Sequence, residues 1–170
     1  QADDIRDFQI EGMSIGDSLL NFYGEKQILN FQKNYYEGSD FYMVFVNVNS
    51  GEYSQIGFTL KKNDKKYIIQ GIKGTIIFKD QFNKCIKWKK DAIKDLSIVL
   101  PKAKFREEVI TKYKSKDMKN SKAYSNDYFF PSNEGAVRIW CTKIDKRLNY
   151  SDRGEIALLN SELVRFQLVK

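Results

Sequence analysis

The sequence contains no histidine, and among its 170 residues only two are cysteine and two are proline. Without histidine the chain cannot form Ser-His or Cys-His nucleophile pairs, an imidazole general base or a zinc site with imidazole ligands. Two cysteines are also too few for a cysteine-rich metal site. From the sequence we therefore assign no catalytic residue, no cofactor-binding residue and no metal ligand.

Long apolar runs are missing as well, since no stretch approaches the roughly 18 consecutive apolar residues of a membrane-spanning helix. The sequence begins Gln1-Ala2-Asp3-Asp4 rather than with methionine. This start predicts either a mature protein whose leader has been removed or a chain that was trimmed at its N-terminus. A length of 170 residues with 42% hydrophobic composition predicts one globular domain over residues 1–170.

The net charge of +7 is concentrated in the middle of the chain, where residues 61–122 hold 19 basic and 7 acidic side chains. One hypothesis is that this region binds an acidic polymer or surface, such as nucleic acid, anionic lipid or polysaccharide. Only six of the 29 basic residues in the whole chain are arginine, whereas recognition of phosphates and base edges favours arginine. Nucleic acid is therefore not the expected partner, and an AT-rich genome also encodes abundant lysine.

Residues 8–24 carry the strongest local folding signal. Gly12 and Gly16 frame a turn, because glycine adopts backbone angles that other residues avoid. Ser18 is a good N-cap for the apolar run that follows it, and Gly24 is placed where a left-handed C-cap would end a helix. The glycine spacing matches neither of the common phosphate-binding loops, so we interpret the turn as structural.

Hydrophobic periodicity predicts strands at residues 41–48, 54–60, 67–79, 123–130, 137–142 and 155–159. Helical signals predict a short N-terminal segment within 17–31, one long amphipathic helix at about 81–100, and a short C-terminal helix capped by Asn160. We expect turns at 50–52 and 132–135. Within 105–122, Val109, Ile110 and Tyr113 can form an edge strand, and the lysine-rich residues 112–122 are expected to be an exposed, mobile loop. The predicted fold is α+β, built on a mostly antiparallel sheet of about six strands.

The two cysteines fall on surfaces that are predicted to be buried. Cys85 lies on the apolar stripe of the long helix, and Cys141 lies on the same side of its strand as Val137 and Ile139. If this helix packs on this sheet, the two sulfur atoms can form a disulfide bond. The alternative is a pair of unrelated buried thiols, since cysteine is a commonly buried residue.

A candidate binding surface consists of Tyr124, Tyr128, Arg138 and Trp140. Alternate positions of neighbouring strands share one side of a sheet, and surfaces rich in aromatic residues and arginine are typical of binding sites. The alternative is that Tyr128 and Trp140 belong to a second buried side of the sheet.

A histidine-independent hydrolase is a third hypothesis, next to a binding module and a binder of acidic polymers. Paired carboxylates can perform general acid–base catalysis, but no pair is singled out by spacing here. The carboxylates considered are Asp127, Glu134, Asp145, Asp152 and Glu155.

The runs FQIEGMSIGDSLL at 8–20 and KKNDKKYII at 61–69 resemble small exported proteins of AT-rich, free-living marine alphaproteobacteria. The segments around Cys85 and Cys141 are similar to the same group. The resemblance implies a periplasmic or secreted α+β domain with a removed signal peptide, and it implies no catalytic residues. The even number of cysteines, the start of the chain, the α+β pattern and the lack of catalytic motifs lead us to expect a non-enzymatic binding or protein-interaction module. We expect it to be a monomer or weak oligomer that takes a protein or small-molecule partner.

Overall fold

The computed structural model describes residues 4–49, 51–131 and 134–168, and the strands among them form one antiparallel sheet. The strands are β1 (Gln32–Tyr35), β2 (Phe41–Asn47), β3 (Gln55–Lys61), β4 (Gly71–Lys79), β5 (Lys104–Lys112), β6 (Lys122–Phe129), β7 (Gly135–Lys143) and β8 (Asp152–Asn160). Their order across the sheet is β1-β2-β3-β4-β8-β7-β6-β5. Two four-stranded meanders therefore meet where β4 pairs with β8.

The helices among the described residues are α1 (Glu25–Asn30), α2 (Phe82–Val99) and α3 (Ser161–Gln167), with 3-10 turns at Ile5–Asp7, Leu19–Asn21 and Lys116–Met118. α2 confirms the predicted amphipathic helix. The predicted cap of α3 is also confirmed, because Asn160 Oδ1 accepts a hydrogen bond from the Leu163 amide at 2.9 Å. No helix in this part of the chain combines the length and hydropathy needed to cross a bilayer.

The predicted number of about six strands is wrong, because the sheet has eight. The two additional strands, β1 and β5, are the edges of the sheet. Their side chains are mostly exposed, so neither strand shows an alternation of apolar and polar residues. An edge strand can be held by backbone hydrogen bonds to its single neighbour. β5 includes Val109 and Ile110 of the possible edge strand and ends at Lys112, where the expected loop begins.

The N-terminal segment differs from its prediction at one position. Ser18 does cap the 3-10 turn that follows it, by accepting a hydrogen bond from the Leu20 amide. Gly24 is not a left-handed C-cap, since its φ is −65° and it precedes the first turn of α1. The predicted strand 67–79 is shorter than expected, beginning at Gly71 as β4. The preceding residues bond to the N-terminal segment instead, including Gly16 N to Ile69 O at 2.9 Å.

The predicted turns at 50–52 and 132–135 fall in part on positions 50, 132 and 133, which lie outside the described residues.

One side of the sheet, called the covered face here, packs against α2 and the segment 5–31. Apolar side chains from all three layers form one buried cluster. From the sheet it includes Val44, Phe58, Ile72, Val137 and Leu158, and from the N-terminal segment Ile10, Met13, Leu19 and Ile28. α2 contributes Leu96, and Leu100 joins the cluster directly after the helix. This cluster is the main hydrophobic core.

The opposite side of the sheet, called the open face here, is covered at one end by α3. Leu163 and Leu168 pack there against apolar residues of β2, β7 and β8. Gly71 permits this close approach, since a Cβ atom at that position would lie 2.7 Å from Leu163 Cδ1. Beyond α3 the open face carries charged side chains from the strands at the centre of the sheet, and these form the candidate site.

Candidate functional site

The strand register divides the four predicted surface residues between the two faces. Tyr124 pairs with Cys141 and Tyr128 with Val137, whereas Trp140 pairs with Ser125 and Arg138 with Asp127. Directly opposed residues of antiparallel strands point to the same side. The structure therefore places both tyrosines on the covered face and places Arg138 and Trp140 together on the open face.

Tyr128 is a core residue that anchors α2. Its side chain is 2% exposed, and its hydroxyl donates to Ile93 O at 2.9 Å and lies 2.7 Å from Ser97 Oγ. Burial raises the pKa of Tyr128 above its ordinary value. The ring of Tyr124 packs beside that of Phe82, with 5.3 Å between centroids. The two tyrosines thus hold the helix on the sheet and do not extend the surface formed by Arg138 and Trp140.

The predicted disulfide bond is present. Cys85 of α2 and Cys141 of β7 are bonded, and both residues are fully buried. The bond joins the long helix to the centre of the covered face, across 56 positions of sequence.

On the open face, Asp127 lies between two arginines although its side chain is fully buried. Arg106 Nη2 approaches one carboxylate oxygen, Oδ2, at 2.6 Å. Arg138 Nε lies 3.5 Å from the other oxygen, Oδ1. Such a buried carboxylate is stable only because neighbouring positive charge compensates its desolvation.

Glu155 repeats this arrangement two strands away. It is 2% exposed and accepts a hydrogen bond from Lys73 Nζ at 2.9 Å, while Arg153 Nε lies 3.4 Å from its second oxygen. Burial favours the protonated form, but the charges of Lys73 and Arg153 outweigh it and hold the pKa of Glu155 below its ordinary value. Glu155 is therefore an ionised carboxylate near neutral pH.

Trp140 connects the two arrangements. The guanidinium carbon of Arg138 lies 5.7 Å from the centre of the indole, and Lys73 Nζ lies 6.0 Å from it. We call the whole set the cation belt, and it consists of Lys73, Arg106, Arg138, Arg153, Asp127 and Glu155 around Trp140. Four positive and two negative side chains give the belt an excess of two positive charges.

A cavity of about 130 Å³ opens between the cation belt and α3. Lys73, Arg138 and Trp140 form one part of its wall, and Gln167 contributes from α3. The rest of the lining is mostly apolar and consists of Tyr36, Met43, Ile72, Ala157 and Leu159, together with the hydroxyl-bearing Thr59. Neither Asp127 nor Glu155 lines this cavity. A molecule inside it therefore meets Lys73 and Arg138, two of the four cations of the belt, and not the carboxylates.

The carboxylates considered for catalysis are held apart from one another in different interactions. Asp127 and Glu155 are each shared between two cations of the belt. Asp145 pairs with Arg147, whose hydrogen bonds lower the pKa of Asp145, and Asp152 accepts the Ile144 amide hydrogen. Glu134 is exposed at the start of β7. No group of three or more potential metal ligands occurs among the described residues.

Two larger depressions lie elsewhere on the protein. One, of about 980 Å³, separates the start of α2 from the segment 143–152. The other, of about 670 Å³, runs along α2 beside Tyr53 and Trp88. Trp88 Nε1 donates to Glu52 in this groove, so its indole is held in place. The first depression also places a cation next to an aromatic ring, since Lys143 Nζ lies 5.6 Å from the centre of the Phe82 ring. Among the residues described, neither depression is lined by an arginine, which the belt provides.

The basic region 61–122 is spread over several elements. Most of its lysines lie at the β3–β4 hairpin, on the exposed side of α2 and around the connection between β5 and β6. Some have local partners: Lys61 pairs with Glu162, Lys62 donates to Ser39 O and Lys87 pairs with Asp91.

Sequence reasoning identified Arg138 and Trp140 but missed Lys73, Arg106 and Arg153. The available signal was the presence of charged residues inside otherwise apolar strands. Lys73 and Glu155 interrupt the apolar runs of β4 and β8, and Asp127 interrupts β6. A charge in the middle of a strand that is buried on both sides needs a partner on a neighbouring strand.

Comparisons with protein-family models, with curated proteins and with solved structures found no match to this chain, so its function is inferred from the site's own geometry.

Proposed function

We propose that this chain is a non-enzymatic binding module which recognises an acidic group of its ligand through the open face of the sheet. The observation that carries the proposal is the cation belt, in which four cations share two carboxylates around Trp140. The positive excess lies on a partly buried surface, where the attraction of an anion is screened less than in water.

The side chains of the belt are suited to recognition because they are already positioned. Lys73 and Arg138 are held by hydrogen bonds to Glu155 and Ser125, so little side-chain entropy is lost when a ligand binds. Trp140 supplies an apolar surface next to these cations, and tryptophan and arginine frequently anchor interfaces. The absence of histidine in the sequence supports binding rather than catalysis.

We propose further that the protein works in an oxidising compartment, the periplasm or the exterior of the cell. A structural disulfide such as Cys85–Cys141 persists in such compartments and is rare in a reducing cytosol. The resemblance to exported bacterial proteins supports the same location.

The proposal can be tested through the fluorescence of Trp140. The chain has two tryptophans, so a Trp88→Phe background isolates this reporter. We would titrate acetate, butyrate, phosphate and sulfate separately, at constant ionic strength set by chloride. We expect at least one of these anions to give a saturable change in the emission. Arg138→Gln should then weaken binding about tenfold or more, because hydrogen bonds to charged groups are the strong ones.

Arg147→Gln is the matched control, since it removes the same charge from an exposed arginine that pairs with Asp145 outside the belt. It should leave the affinity unchanged. A flat titration with all four anions would contradict the proposal, and so would an equal loss of affinity in the two arginine variants.

A further inference from the structure

The cavity between the cation belt and α3 has room for a small ligand only. Its volume of about 130 Å³ corresponds to about four water molecules at their liquid volume. A group of a few carbon atoms with one charged end fills such a space. The identity of that ligand can be narrowed further by the hydrogen-bonding groups and the apolar groups that face it.

Arg138 provides donors that the protein itself leaves unused. Among the described residues, its guanidinium donates one hydrogen bond within normal distance, from Nη2 to Ser125 Oγ at 3.0 Å. Its Nε is 3.5 Å from Asp127, which is too long for a strong hydrogen bond. A guanidinium has five N–H donors in a planar fork that matches a carboxylate. Arg138 can therefore bind a carboxylate without breaking its existing contacts.

Apart from Thr59 and Gln167, the remaining lining of the cavity is mostly apolar. Ala157 lies between Arg138 and Lys73 in the register of the sheet, and Met43 and Leu159 line the cavity beside it. These side chains favour an aliphatic chain, since burying it against them removes apolar surface from water. Phosphate or sulfate has no apolar part and would lose hydration against the same side chains without compensation.

We infer that this cavity binds a short aliphatic carboxylate, with its charged end at Arg138 and Lys73 and its carbon chain against Met43, Ala157 and Leu159. The inference rests on the proposed function and names the ligand class of the same site. A carboxylate of this kind can come from a free short-chain acid or from the C-terminus of a peptide. Both sources share the chemistry that the cavity recognises.

The test compares butyrate with phosphate in the Trp88→Phe background and adds variants that fill the cavity without changing its charge. Ala157→Leu places a larger apolar side chain on the floor of the cavity. Gln167→Phe narrows the cavity from α3 with a larger uncharged side chain, in case the first variant perturbs the fold. We expect butyrate to bind at least about tenfold more tightly than phosphate, a preference consistent with burial of about two or more methylene groups. Either filling variant that retains its native circular dichroism spectrum should abolish this binding.

Failure of this inference is distinguishable from failure of the proposed function. Saturable binding of phosphate or sulfate without butyrate would overturn the carboxylate assignment while leaving an anion site on the open face. Butyrate binding that survives both filling variants but is lost in Arg138→Gln would overturn the assignment to the cavity. A peptide ending in a free valine carboxylate, compared with its C-terminal amide, separates the two sources. Binding of the free-acid peptide alone, or of butyrate alone, would each support the carboxylate chemistry.

Discussion

Glu155 is a buried carboxylate whose environment is set by two cations on neighbouring positions. Lys73 faces it from β4, and Arg153 lies two residues before it on β8. Its burial costs free energy that these charges offset. Because the pKa of Glu155 is lower in the folded protein than in an unfolded chain, its ionised form stabilises the fold at neutral pH.

We predict that Glu155→Gln makes stability less dependent on pH. As the pH falls through the ordinary glutamate pKa towards the lower value in the folded protein, the unfolded chain takes up its proton first. The stabilisation by Glu155 is therefore present above that range and is lost on acidification. When the free energy of unfolding is measured with urea between about pH 7 and about pH 3, it should decrease less for the variant than for the wild type.

Glu162→Gln is the control, because Glu162 forms an exposed ion pair with Lys61 at 2.6 Å. Surface pairs contribute little to stability, so this variant should keep the pH profile of the wild type. Identical profiles for Glu155→Gln and the wild type would show that the two cations do not stabilise the ionised carboxylate.

Gly12 is a second residue that matters for stability, and its contribution depends on its backbone conformation. It has φ of +76° in the tight turn that joins Ile10 to Met13, and a Cβ atom added there would meet no other atom within 4 Å. Gly12→Val should reduce the free energy of unfolding by about 1–2 kcal/mol, because L-residues are strained in this region of φ. Gly12→Asn should lose less, since asparagine tolerates positive φ. Equal losses measured by urea unfolding would point to a cause other than backbone strain.

Among the secondary-structure elements, the long helix α2 is held on the sheet by hydrogen bonds and an ion pair of a buried lysine. Lys89 is 3% exposed and donates to Tyr124 O at 3.2 Å and to Asn126 Oδ1 at 2.9 Å. It also pairs with Glu108, which lies beside the bulge of β5. One side chain thus links the helix to both β6 and the edge strand β5. Periodicity alone gives no sign of this role, since Lys89 belongs to a run of lysines that includes exposed neighbours.

We predict that Lys89→Ala destabilises the protein by about 2 kcal/mol, because it leaves Asn126 and Glu108 without their charged partner. Lys90→Ala on the same helix is the control, since Lys90 is exposed and the charge change is the same. Hydrogen exchange should accelerate selectively at the amides of β5 in Lys89→Ala. Similar exchange in the two variants would indicate that Lys89 does not fasten the edge strand.

The Cys85–Cys141 bond also joins α2 to the sheet, through a cysteine in the first half of the helix. By the loop-closure model, a bond across 56 positions contributes about 4 kcal/mol by restricting the unfolded chain. Reduction should therefore lower the urea midpoint substantially, and the double variant Cys85→Ser/Cys141→Ser should show the same low midpoint with or without reductant. Two thiols that alkylate freely in native, unreduced protein would contradict the structure.

For the molecule as a whole, the sequence predicts central elements better than edges and better than the pairing between strands. α2 and the central strands carry strong apolar periodicity because they contribute to the buried cluster. β1 and β5 lack it because they are held mainly by backbone hydrogen bonds. The site depends on register, and a shift of one residue would exchange the faces of an entire strand. Sequence alternation could therefore place Arg138 with Trp140, but it could not place Tyr124 and Tyr128 relative to them.

The distribution of lysines leads to a last prediction, which concerns the hypothesis of an acidic-polymer binder. Since these lysines lie on a hairpin, on α2 and around the β5–β6 connection, we expect weak retention on heparin with a shallow dependence on salt. Lys65→Gln/Lys66→Gln on the hairpin and Lys90→Gln/Lys94→Gln on α2 should each reduce the eluting salt concentration slightly and by similar amounts. Loss of all retention in one pair alone, or a salt dependence equivalent to about six or more ionic contacts, would instead indicate a localised polymer site.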